Sequence, residues 1–215
     1  MTDEQLQADV AAELFWDPKV GSAAIVISAD GGTITLRGAV GSLREKREAR
    51  KAAQRVFGVM AVNDELHVRI LDKDRREDTE LRGDILHALI LDGLIPTTVD
   101  ARVTGGLVTL TGTVSWQYQR DEAKFIVANV PGVFDIEDRI KLITSPDGRD
   151  IGNDISDAFV RSARLDANGL SVSTSPGTVT LSGVVHSWAE HDEAIASAWA
   201  APGVTEVHDR IKVVY

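Results

Sequence analysis

Three segments of this 215-residue chain are near copies of one another: ITLRGAV at 34–40, VTLTGTV at 108–114 and VTLSGVV at 179–185. A motif written three times makes the chain a tandem array of small units rather than one large core. The glycines at its fifth position, Gly38, Gly112 and Gly183, lie 74 and 71 residues apart, and a common grammar surrounds each. Six residues earlier stands Gly32, Gly106 or Gly177, and twenty residues later stands Gly58, Gly132 or Gly203. Constant spacing over this stretch predicts an intervening element that tolerates no change of length.

The apolar positions around each central glycine alternate with polar ones, which predicts a strand with one buried face. A turn signal precedes it (DGG, TGG or SPG), and before that turn lies a second alternating stretch, so each unit contains a hairpin. Ala49, Ala53 and Val56 follow at helical spacing, as do Ala123, Val127 and Val130, then Ala194, Ala198 and Ala201. A third strand comes next: VNDELHV at 62–68, IEDRIKL at 136–142 and VHDRIKV at 207–213. Each unit opens with another amphipathic helix, marked by Leu6, Val10 and Leu14; by Leu81, Ile85 and Leu89; and by Ile151, Ile155 and Phe159. The fold class is therefore α+β, with three tandem αββαβ domains over residues 1–72, 76–144 and 148–215. Polar segments, DKDRRED at 72–78 and TSPDGRD at 144–150, predict the boundaries.

A glycine inside a strand weakens it unless something must approach closely. Each central glycine shares the core face, so the expected visitor is the backbone of the alanine-lined second helix.

The run V-x-L-x-G-x-V, an alanine-rich helix, then G-V-x-x-V-x-D-x-L-x-V resembles the BON domain, named for bacterial osmotically induced and nodulation proteins. The resemblance covers essentially the whole chain as three copies. It implies a small three-stranded mixed sheet with two helices, no catalytic residues and no cofactor. It also implies a stress-associated module that acts on phospholipid or membrane surfaces and is often exported to the periplasm.

Composition narrows the function classes. The net charge is −10, and residues 1–72, 73–147 and 148–215 contribute −2, −4 and −4. No third is basic enough to displace counterions from nucleic acid, and adsorption to anionic lipid is disfavoured. The chain has no cysteine, which removes disulfide and thiolate chemistry. Its start, MTDEQLQADV, is acidic and amphipathic where an export signal is basic and apolar, so a cytoplasmic location is expected.

Asp64, Asp138 and Asp209 recur six residues after Gly58, Gly132 and Gly203, on the apolar face of the last strand. No second carboxylate, His or Cys recurs in that strand. An acceptor for backbone N–H groups is the expected role, ahead of a metal or acid–base group. Glu48, Glu122 and Glu193 recur beside the helix alanines and are expected to be solvated. His186 and His191 are five apart, not the four of a helical zinc pair, and are read as surface residues. No metal site, nucleophilic triad or phosphate loop is predicted, and an enzyme is not expected.

The second helix of the first unit, LREKREARKAAQR, places Arg44, Arg47, Lys51 and Arg55 in one basic stripe that the other units lack. It is either a solvated face or a contact strip for lipid phosphates or for the acidic units of a second chain, as in a homo-oligomer. Trp116, Tyr118 and Trp188 sit where the second helix begins. They either fill the ends of the core or form an exposed patch for a protein partner or lipid.

Overall fold

The computed structural model describes residues 1–69, 75–143 and 151–215. The expected segment 144–150 and residues 72–74 of the other boundary lie outside these described residues. Repeats one and two fall largely in one compact unit and repeat three in a second.

Repeat one runs α1 (Asp3–Trp16), β1 (Ile25–Asp30), β2 (Thr33–Val40), α2 (Leu43–Arg55) and β3 (Ala61–Val68). Repeat two runs α3 (Asp78–Leu91), β4 (Asp100–Thr104), β5 (Leu107–Val114), α4 (Gln117–Ala128) and β6 (Asp135–Leu142). Repeat three runs α5 (Ile151–Arg161), β7 (Leu170–Ser175), β8 (Thr178–Val185), α6 (Trp188–Trp199) and β9 (Glu206–Val213). This is the αββαβ order three times, each with a three-stranded mixed sheet whose glycine strand is central. The first two strands of repeats one and three pair antiparallel as hairpins, and the last strand joins the central one in parallel. A parallel partner needs a crossover, and α2 and α6 supply it.

The repeating apolar positions make the cores. In repeat one Leu6, Val10 and Leu14 of α1 and Ala49, Ala52 and Ala53 of α2 bury against Ile34, Leu36 and Val40. Repeat three builds its own cluster from Ile155, Phe159, Val179, Leu181, Ala194 and Ala198. Full burial of one such large aliphatic side chain contributes about 1.5–3 kcal/mol. Helix starts are fixed locally. Thr2 and Gln5 form a reciprocal capping box on α1, and Ser42 and Ser187 accept from the N–H groups of Glu45 and Glu190 at 3.1 Å.

The reason for the strand glycine differs from the expected one. Gly38, Gly112 and Gly183 do lie on the core side, but all three hold φ between +125° and +130°. A Cβ at each would strike a backbone carbonyl 2.0–2.1 Å away: Ala24, Thr98 and Gly169 respectively. Those carbonyls belong to the chain just before the first strand of each hairpin, not to the second helix. The glycine admits the entry to its own hairpin.

Candidate functional site

The three recurring aspartates occupy one construction. The backbone N–H of Leu66, Ile140 or Ile211 donates to Asp64, Asp138 or Asp209 at 3.0 Å, from two residues further along the strand. The acceptor role is therefore present in every repeat. Sequence reasoning missed a second partner, eighteen residues earlier on the second helix. Arg120 Nε donates to Asp138 at 2.7 Å, and His191 Nε2 lies 2.8 Å from Asp209. In repeat one Lys46 Nζ stands 3.7 Å from Asp64 and donates to the Leu66 carbonyl at 2.7 Å. A basic side chain at the helix start thus meets the last strand in all three copies. The recurrence was readable in the sequence spacing, but Lys, Arg and His did not register as one class.

This corrects the reading of His191 as a surface residue. Its side chain is only 12% exposed, and Nδ1 lies 3.2 Å from Asp192. Trp188 meets the imidazole edge-on at a centroid distance of 5.0 Å and also packs on the core. The neighbouring carboxylates, Asp192 foremost and Asp209 with it, hold the imidazole pKa above its ordinary value against the opposing effect of burial. Glu48 is likewise not simply solvated: it is mostly buried and lies 3.3 Å from Lys19.

The basic stripe of α2 is not one free strip. Arg55 donates to Glu13 at 2.8 Å and to Asp17 at 2.7 Å, both near the end of α1. Arg47 reaches the Lys124 carbonyl in repeat two at 3.2 Å, and Lys51 lies 3.9 Å from Glu48. Arg44 is exposed. Three of the four side chains thus meet acceptors of this same chain, supplied by α1 and its C-cap, by α4 and by α2 itself. The Arg55 hydrogen bond, then the Lys19 N–H, hold the Asp17 carboxyl below the usual carboxylate range. A depressed carboxyl stabilises above its unfolded pKa and loses that contribution as pH falls through the folded value. We expect Asp17→Asn to cost about 1–2 kcal/mol at neutral pH, because Arg55 remains half exposed and screened. The difference from wild type should shrink on acidification in paired urea titrations, and a constant difference would contradict the assignment.

Trp116 and Tyr118 are partly exposed, so they do not simply plug a core. More exposed still is a feature the sequence reading overlooked. The end of each opening helix carries large apolar side chains directed at solvent: Phe15 (81% exposed) and Trp16 (83%), Ile90 and Leu91 (both 72%), and Val160 (76%). In each case the residue just before them, Leu14, Leu89 or Phe159, is buried. The helix has turned its buried stripe inward and left the following positions outside.

Among the described residues no group of three or more His, Cys, Asp or Glu is placed to hold a metal. No helix among them is long and apolar enough to cross a membrane.

The BON domain family model matches residues 2–70, 77–144 and 147–215. The chain belongs to the BON domain family. Osmotically-inducible protein Y of Escherichia coli (strain K12) is 35% identical to this BON protein over 146 residues, 66% of this chain and 73% of the relative. Solved structures with a distant likeness include CdsD, a structural protein of the type III secretion system of Chlamydia trachomatis. One CdsD structure is 14% identical with a TM-score of 0.28, covering 98% of this chain and 92% of that one. The PrgH periplasmic domain is 11% identical with a TM-score of 0.24, covering 89% and 95%. The aspartate clamp and the central glycine lie inside all three BON segments, so they are parts of the repeat scaffold. The apolar helix ends also recur, and Phe15, Trp16 and Val160 lie outside the cores of repeats one and three.

Proposed function

We propose that this BON protein is a non-enzymatic, stress-related interaction module that docks a protein partner through the exposed ends of its opening helices. The observation that carries the reading is the pair Phe15 and Trp16, more than four-fifths exposed and echoed by Ile90 and Leu91. Large apolar side chains grouped in water mark interaction surfaces, and aromatic anchors dominate their energetics. The relationship to an osmotically inducible protein supports the stress context. The charge of −10 favours a protein surface over an anionic bilayer as the docking partner.

The test compares wild type with the double variant Phe15→Ser, Trp16→Ser. Both positions are exposed, so the melting temperature should be unchanged. Affinity purification from the source cells after osmotic upshift should recover a stoichiometric partner with wild type and lose it with the variant. Light scattering of the purified chain identifies a second copy as that partner. Sedimentation with anionic vesicles, if strong in wild type and lost in the variant, would replace the protein partner with a lipid surface. Identical behaviour in all three measurements would remove these residues from any docking role.

A further inference from the structure

We propose that repeat three contains a pH-operated latch, in which His191 holds the start of α6 to the last strand, β9, only while the imidazole is doubly protonated. The argument rests on an internal comparison. Three equivalent positions, Lys46, Arg120 and His191, face three equivalent carboxylates, Asp64, Asp138 and Asp209. The first two are a lysine and an arginine, residue types that are cationic in the physiological range. Only the third can lose its charge there.

The geometry shows which form the site accommodates. Nε2 faces Asp209 at 2.8 Å and Nδ1 faces Asp192 at 3.2 Å. A neutral imidazole has one N–H and one lone pair, so one ring nitrogen would turn a lone pair toward an ionised oxygen. The imidazolium satisfies both carboxylates at once. Trp188 packs against the ring edge and keeps it from swinging away from this arrangement.

Among the described residues no other charged side chain pairs with the ring. On β9, His208 turns instead to Glu206 at 3.1 Å. The adjacent strand β8, TVTLSGVV, carries no ionisable side chain. From the α5 side, Ser162 and Arg164 approach Glu193 rather than His191. The raised imidazole pKa agrees with this geometry. Its sign sets the direction: the contribution is complete below the ordinary histidine value and is lost as pH rises through the folded one. Repeat three therefore loosens on the alkaline side, while the homologous clamps of repeats one and two hold.

Hydrogen exchange of the full chain, read by mass spectrometry and corrected for intrinsic rates, tests this directly. Between pH 6 and pH 8.5, protection in 188–199 and 206–213 should fall by about tenfold or more, the scale of one hydrogen bond to a charged group. Protection in 117–128 and 135–142, held by Arg120, should stay level. His191→Arg should make repeat three behave as repeat two does. Ring-nitrogen NMR of wild type supplies a readout independent of any variant's folding. Titration of His191 above the free-histidine value supports the latch, and titration at or below it overturns the latch. Equal pH profiles for wild type and a folded His191→Arg would overturn it as well.

Discussion

Gly112→Ala is expected to cost the second repeat about 3–5 kcal/mol, from the sum of left-handed backbone strain and a clash that cannot relax. The φ of Gly112 is +125°, and the new Cβ would sit 2.1 Å from the Thr98 carbonyl oxygen and 2.9 Å from Val99 Cα. Both obstacles are backbone of the segment that leads into β4, so relief requires pulling that entry away from β5. For a unit of this size, each kcal/mol lowers the midpoint by roughly 4–8 °C. Calorimetry should therefore show one component displaced far below the others. The control is Gly105→Ala: that residue also has positive φ, +57°, but nothing lies within 4 Å of its Cβ. It should lose only about 1 kcal/mol. Equal losses at the two positions would mean that conformation alone matters and the close carbonyl does not.

The second large effect concerns Asp138. Asp138→Ala leaves the Ile140 N–H and the Arg120 guanidinium without their acceptor in a mostly buried place. The expected loss is about 2–4 kcal/mol, a neutral and a charge-assisted hydrogen bond together. Asp138→Asn keeps an oxygen for the Ile140 N–H and gives up only the charge, so it should cost about half as much. Lys124 lies 3.7 Å from the same carboxylate and would be left facing Arg120 in both variants, which adds a shared penalty. Chemical denaturation of the two proteins side by side decides the matter. An Asn variant as damaged as the Ala variant would assign the whole effect to charge and none to the strand N–H.

The order of helices and strands was legible because the three copies checked one another. An alternating run such as Val108, Leu110, Gly112 and Val114 is ambiguous alone, and decisive when the same offsets return twice. Core membership followed from periodicity, and Leu6, Val10 and Leu14 are buried as expected. What stayed hidden depended on three dimensions. No pattern in ITLRGAV reveals that Gly38 has positive φ or that Ala24 presents its carbonyl there. The partner of Asp209 lies on another element, and His191 looked like an isolated histidine because its counterparts are Lys46 and Arg120. The apolar ends at Phe15 and Trp16 escaped because periodicity identifies the residues that turn inward. It is silent about large apolar neighbours that do not.

Separate cores in repeats one and three have a consequence for how such a chain can change over time. A substitution inside the core of repeat three leaves the side chains of the repeat-one core untouched, so a change there is confined more closely than in a protein with one shared interior. The clamp position records such divergence, with lysine, arginine and histidine installed at the same structural address. Triplication supplies redundancy, and redundancy lets one copy acquire an environmental sensitivity that its siblings do not share.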